Sequence, residues 1–317
     1  MFCKILSYKG YMKKQTNKNE PIICITDLCN QNCIFCSRGK AKPKISKKSI
    51  EEKINFFKDS ICIEGGEPML SRNVYKWTAY AKEKKVKDII LVTNGFNLEK
   101  PELVQKLLDC GITMFNVHLP AHNEKLFDLL TGTKGNFRRR IEAIKNLIDI
   151  AGHHRVRLTM VVNSVIYKYL GAYAAFIADN FPDILYIEIN MIKVLGYVEE
   201  RSWLVPKLKA IKSPLLKMFK TLDKAQIKFL TDGFPLCYLN GYEHMSIDVF
   251  KLAHSKSELY LGEKNTAPPC AKCSLIKLCP GLRTDYLNLY GYSELKPSAK
   301  SPAPIIKGSR NQLRKNK

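Results

Sequence analysis

Two rhythms of apolar residues alternate through most of this chain. Short apolar or β-branched runs at Ile22–Ile25, Ser60–Glu64, Asp88–Thr93, Ile112–His118, Arg155–Asn163 and Ile184–Asn190 predict strands. Between them apolar residues recur every three or four positions, as at Ile50, Ile54 and Phe57, or at Ile141, Ile144 and Ile148. That spacing predicts helices over Ser49–Phe57, Asn73–Lys85, Glu102–Asp109, Glu124–Leu130, Phe137–Ile150 and Leu170–Asp179. Gly65-Gly66 and Asn94-Gly95 close the second and third strands as turns. Strands separated by helices imply a parallel sheet with right-handed crossovers. Six such units are too few for a closed eightfold barrel, so the α/β fold expected is a partial (βα)6 TIM-like barrel.

Past residue 200 the alternation fades. Residues 205–228 read as a Lys-rich helical stretch, and the remainder is irregular and rich in cysteine. The organisation expected is a basic extension over 1–19, a core over 20–200, a helical linker with a small cysteine-rich domain over 201–295, and a basic tail over 296–317. Proline, lysine and little apolar content predict disorder for that tail.

Composition narrows the class. The 317 residues are 45% hydrophobic, enough for a core. No apolar run approaches the ~18 residues of a membrane span. Lys4 interrupts the N-terminus too early for a signal peptide. A cytoplasmic protein without a membrane segment is expected, and there 11 cysteines point to metal binding before disulfides. The net charge is +23, from 52 Lys+Arg against 29 Asp+Glu. More than half of it lies on residues 1–19 and 296–317, which contain no acid. Such ends either attract something acidic (RNA, a peptide, a nucleotide) or only aid solubility, and charge alone does not choose.

The cysteines fall into groups. Cys29, Cys33 and Cys36 form a Cys-x3-Cys-x2-Cys loop after the first strand, on the side where α/β sheets build active sites. Three thiolates suit a four-iron cluster with one iron left for a non-protein ligand; a zinc completed from elsewhere is the alternative. Cys270, Cys273 and Cys279 give Cys-x2-Cys-x5-Cys, and Cys237 can add a fourth thiolate. Cys24 and Cys62 lie in apolar strands, where a buried thiol is the ordinary reading.

The first group resembles the hallmark of the radical S-adenosylmethionine (radical SAM) enzymes, Cys-x3-Cys-x-aromatic-Cys, with Phe35 at the aromatic position. Gly65-Gly66-Glu67-Pro68 and Thr93-Asn94-Gly95 match the family's second and third strand ends. The resemblance implies a [4Fe-4S] cluster on Cys29, Cys33 and Cys36 that binds S-adenosylmethionine. Reductive cleavage would give a 5′-deoxyadenosyl radical, with flavodoxin or ferredoxin as the kind of reductant. Its implied cofactor contacts are Phe35, Gly65, Gly66, Glu67, Pro68, Thr93, Asn94, His118 and Asn163. His118 and Asn163 read equally as satisfied polar residues at strand ends. Many relatives carry an arginine after the fourth strand to pair the cofactor carboxylate. Here Leu129–Lys134 stands in that place, leaving Lys134 or one of Arg138, Arg139 and Arg140 for the task.

The second group resembles the SPASM or shorter Twitch auxiliary domains, which implies one auxiliary [4Fe-4S] cluster on Cys237, Cys270, Cys273 and Cys279; a structural zinc is the alternative. No catalytic side chain is assigned. The substrate expected first is a peptide or protein, as for a maturase. With the core beginning near residue 20, a leader would be read by the core or by a separate protein. The alternatives are a small molecule, through a radical dehydrogenase or cofactor-synthesis reaction, and RNA, which is possible but not favoured. A non-enzymatic iron–sulfur protein would not need these motifs together.

Overall fold

The computed structural model describes residues 21–41, 43–255 and 261–312, so the basic extension expected over 1–19 lies outside the described residues. In chain order the elements are β1 (Ile22–Cys24), α1 (Lys47–Phe56), β2 (Ser60–Glu64), α2 (Asn73–Glu83), β3 (Asp88–Thr93), α3 (Pro101–Cys110), β4 (Met114–His118), α4 (Glu124–Thr131) and α5 (Phe137–Ala151). There follow β5 (Val156–Val162), α6 (Leu170–Asn180), β6 (Tyr186–Met191), α7 (Leu208–Lys224), β7 (Phe229–Asp232), α8 (Ile247–Phe250), β8 (Lys264–Asn265), β9 (Leu282–Arg283), α9 (Thr284–Tyr290) and α10 (Pro302–Gln312).

Strands β1 to β7 form one sheet in sequence order, with β1 to β5 paired parallel, and β8 pairs antiparallel with β9. This is the α/β, partial-barrel fold that the alternation predicts, with one strand more. β7 follows α7 as a further βα unit, so the pattern does not stop at residue 200. Its four residues are too short for periodicity to register.

The chain divides into two compact units. The first holds residues up to 34, then 40–160 and 183–187; the second holds 35–39, 161–182 and 188–317.

Strand alternation gives the sheet of the first unit two different faces. Ile63, Leu91 and Phe115 follow one another across the ladders of β2, β3 and β4, with Val117 beside Leu158 of β5, and all are buried. The apolar stripes of the helices are buried too: Val74, Trp77 and Ala81 of α2, Val104 and Leu107 of α3, Ala143, Ile144 and Leu147 of α5. Each such side chain larger than alanine contributes about 1.5–3 kcal/mol by leaving water. The opposite face carries Cys62, Ile90 and Met114, then polar residues toward the strand ends.

Two expectations shift. The buried stripe of α5 is Arg140, Ala143, Ile144, Leu147 and Ala151; of the expected Ile141, Ile144 and Ile148 only Ile144 belongs to it. The stripe is rotated so that Arg140 is inside. The segment over 296–317 is not disordered throughout, since 302–312 is α10. Pro302 takes the first helical position, where its missing N–H costs nothing, and Ile305 and Ser309 are buried one turn apart. Helix α7 absorbs Pro214 in its interior and still runs 17 residues, its stripe Leu208, Ile211, Leu215, Met218 and Leu222 buried.

Candidate functional site

The cysteine loop of the first unit is held from two sides. On one, the backbone of Gly65–Glu67 runs directly against Thr26–Leu28. Gly66 N–H donates to Thr26 O (2.9 Å) and Glu67 N–H to Leu28 O (2.7 Å). A Cβ on Gly65 would stand 2.3 Å from Thr26 O, and one on Gly66 2.1 Å from Leu28 O. The two glycines are required by the loop carrying the cysteines, a protein-internal reason that precedes any contact with a cofactor. On the other side, Asn32 N–H donates to Thr131 O (2.9 Å) and Ile34 N–H to Leu130 O (3.0 Å). Gly132 ends α4 at φ +62°, where a Cβ would meet Asn32 O at 2.4 Å. Within Leu129–Lys134, residues Leu130–Gly132 therefore clasp the cysteine loop.

Glu67 is the hub. Its Oε1 accepts from Met69 N–H (2.9 Å) and Thr93 Oγ1 (2.7 Å), and its Oε2 from Asn94 N–H (2.6 Å). Fully buried, it ties the Gly-Gly-Glu-Pro turn to the end of β3, and Pro68 is buried beside it. Burial pushes its carboxyl above the usual range, while the three donors and Arg140 act in the opposite direction. Asn94 Nδ2 donates to Asn30 Oδ1 (2.8 Å) and lies 3.8 Å from Cys29 Sγ. Thr93 and Asn94 thus reach the loop directly or through Glu67.

Arg140 is the arginine placed at this loop. It is buried, its stem packs on Gly95, and Nη1 donates to the backbone oxygen of His118. Burial lowers its pKa to about 10, with Glu67, Cys33 and Cys29 acting to keep it charged. Lys134 and Arg138 are exposed, and exposed Arg139 pairs with Glu99. His118 serves the loop region through its carbonyl.

Phe35, Cys36 and Asn163 belong to the second unit. Phe35 is buried, and Cys36 O accepts from Tyr197 N–H (3.1 Å). Asn163 is satisfied internally: Oδ1 accepts from Val165 N–H (3.0 Å) and Ile166 N–H (3.2 Å), and Nδ2 donates to Val161 O (3.1 Å). That geometry is a turn-forming cap after β5.

The second unit also assembles the other four thiols. Cys237, Cys270, Cys273 and Cys279 line one cavity, with Leu275 and Leu295 among its apolar walls. Ser298 N–H points at Cys273 Sγ (3.3 Å). Burial pushes the Cys237 thiol up, with Cys270 and Cys273 adding, and pushes Cys279 up to about 11. Among the described residues no three side chains of metal-ligating type meet closely enough to grip a single ion.

One feature of the second unit had no local sequence signal. Lys264 Nζ donates to Asp232 Oδ1 (3.1 Å) and Asp248 Oδ2 (2.5 Å), and Lys193 Nζ donates to both oxygens of Glu263 (3.0 and 2.7 Å). Arg283 pairs with Asp285, which also accepts from Val194 N–H (2.8 Å). Partners lie up to 91 residues apart, so only the fold brings them together.

Set beside known proteins, the Radical SAM superfamily model matches residues 23–174. That stretch is similar to the radical SAM superfamily and makes up just under half of the chain. A probable GTP 3′,8-cyclase of Methanocaldococcus jannaschii is 34% identical over 137 residues, which is 41% of this chain and 45% of the relative. Another, from Saccharolobus islandicus, is 35% identical over 148 residues, 44% and 47% of the two chains. The chain thus spans about half the length of these curated relatives. Among solved structures, native anSMEcpe with bound AdoMet and Kp18Cys peptide superposes at TM-score 0.61, with 14% identity over 92% of this chain and 95% of the other. HydG, a maturase of the [FeFe]-hydrogenase, superposes at 0.50, with 12% identity over 66% and 50%. At these identities the likeness is one of fold. Among the described residues no helix is long and apolar enough to cross a membrane.

Proposed function

We propose that this chain is a radical SAM enzyme acting on a small molecule, with nucleotides the first class to assay. The observation that carries the reading is the loop of Cys29 and Cys33, clasped by Gly65–Glu67 and Leu130–Gly132, with both thiols within electrostatic reach of buried Arg140. Cys36, three residues on, completes a set that leaves one iron of a four-iron cluster to a non-protein ligand. The donor set fits that group: the thiols sit on a fixed loop, and a buried guanidinium offsets thiolate charge. Bound there, the cluster and S-adenosylmethionine supply an electron and a 5′-deoxyadenosyl radical able to take hydrogen from unactivated carbon.

This chain's own residues hold and aim. Glu67 locks the turn after β2 to β3 and so fixes the backbone on which the cysteine loop rests. Asn94 steadies Asn30 beside Cys29. Arg140 offers positive charge where the thiolates, and the cofactor carboxylate, need it. Cys237, Cys270, Cys273 and Cys279 would hold an auxiliary cluster. All four line one apolar-walled cavity, which supports a shared metal group; a structural zinc is the alternative.

The small-molecule reading replaces the peptide expectation because the curated relatives are named as GTP 3′,8-cyclases. The test is anaerobic reconstitution followed by reduction with dithionite. Two clusters predict ~8 iron per chain. Wild type should release 5′-deoxyadenosine, a nucleotide from a panel including GTP should accelerate release, and the deuterated form of that nucleotide should transfer deuterium into the 5′-deoxyadenosine. Release no faster than from Cys33→Ala sinks the enzyme reading. Acceleration by peptides alone sinks the small-molecule one.

A further inference from the structure

The inner face of the sheet in the first unit is layered. Cys62, Ile90 and Met114 form an apolar layer. One pleat nearer the strand ends, Asn116 of β4 stands opposite Arg157 of β5. One pleat further on come His118 and Thr159. Arg157 is completely buried and Asn116 nearly so.

The Arg157 guanidinium gives only one nitrogen to the protein. Nη1 donates to Tyr186 Oη (2.7 Å), and the ring of Tyr186 lies beside it, 5.8 Å from ring centre to Cζ. Nε and Nη2 have no hydrogen-bond partner among the described residues. Those two N–H groups run parallel along one edge of the guanidinium, the edge that grips a carboxylate or phosphate through two oxygens. Elsewhere the chain fills this edge with a carboxylate: Arg283 turns Nε and Nη2 on Asp285, and Arg139 turns both on Glu99. Arg157 lies deeper than either and keeps the edge open.

Asn116 points the same way. Its Oδ1 accepts from Thr159 Oγ1, which fixes the amide and commits Nδ2 to donate; Nδ2 too has no partner among the described residues. A buried donor left without an acceptor is destabilising, and a buried charge without a counter-ion more so. Three such donors thus lie on facing residues of adjacent strands.

We propose that Arg157 and Asn116, with Tyr186 bracing the guanidinium, bind a carboxylate or phosphate group of the substrate inside the partial barrel. The anion accepts from Arg157 Nε and Nη2 side by side and from Asn116 Nδ2. Assigning the anion to the substrate rests on the small-molecule reading above; the anion site itself does not.

The test is calorimetric titration of the reconstituted full chain with formate and, separately, inorganic phosphate, without S-adenosylmethionine or reductant. Wild type is expected to bind one of them, and which one identifies the group. Arg157→Met should weaken that binding at least tenfold, and Tyr186→Phe by less. Asn116→Asp places a carboxylate opposite the open edge, so it should raise Tm and abolish anion binding. Absence of binding to wild type, or equal binding by Arg157→Met, overturns the proposal. So does an Asn116→Asp protein that melts lower and still binds. If Arg157→Met does not fold, Asn116→Asp decides. Because no radical is generated, this result and the 5′-deoxyadenosine result stand or fall separately.

Discussion

Gly66 and Leu28 are locked together: a Cβ on Gly66 would stand 2.1 Å from Leu28 O, the oxygen that accepts from the next peptide N–H, that of Glu67, at 2.7 Å. Leu28 immediately precedes Cys29, so anything that parts these two strands of backbone moves a ligand. Gly66→Ala should therefore keep its circular dichroism and lose the iron bound by the cysteine loop. Iron per chain should fall by about half from ~8, with 5′-deoxyadenosine release reduced to that of Cys33→Ala.

Arg140 can be tested by charge. Arg140→Met leaves Cys29, Cys33 and Glu67 without their buried cation, and loading of the first cluster should drop several-fold. Arg140→Lys should restore part of it, because the charge returns without the fork that reaches His118 O. Equal loading in all three proteins would remove Arg140 from the site.

The motifs at this site were legible because each is local. Ser60–Glu64 and Asp88–Thr93 are strands residue for residue, and the glycines and cysteines stand in short runs at their ends. What the motifs did not reveal is that Gly65 and Gly66 face backbone, or that Glu67 is spent inside the protein. Arg140 was visible only as one of three arginines. Helical phase chosen by the isoleucines points it outward, whereas the buried stripe of α5 includes it. β7 and α10 were missed for a different reason. Each is short or poor in apolar residues and depends on partners far away, such as His254 for Ser309 (2.8 Å).

Glu67→Gln replaces one acceptor oxygen by an NH2 that cannot accept from Thr93, Met69 or Asn94. A buried donor then faces a donor, at a cost of about 1–3 kcal/mol. The expected outcome is a lower urea midpoint with an unchanged m-value. An unchanged midpoint would show that the carboxyl is not the hub described.

Lys193 gives the pH dependence a sign. Burial lowers its pKa to about 7, against an ordinary 10.5, even with Glu263 and Asp232 favouring the charge. Between these values the unfolded chain binds the extra proton, so stability contributed at Lys193 rises with pH from about 7 toward 10.5 and is flat below. Removing both partners, in Lys193→Met/Glu263→Gln, should abolish this slope. Urea midpoints from pH 6 to 10 check it, and parallel curves for the two proteins would refute it.

The auxiliary thiols separate from the first loop by count. Cys279→Ser should reduce iron from ~8 to ~4 per chain while dithionite still drives some 5′-deoxyadenosine release. A protein that keeps ~8 iron would remove Cys279 from the ligand set.

The segment from Ser298 to α10 adds an element of timing. Ser298 N–H caps Cys273 Sγ, Ser298 O accepts from Ser274 N–H (2.8 Å), and Ser309 reaches His254. All four auxiliary cysteines precede this segment in sequence, so during synthesis they leave the ribosome before the residues that close over them. If the four thiols take up a cluster as proposed above, it would enter before Ser298 docks on Cys273 or displace that contact.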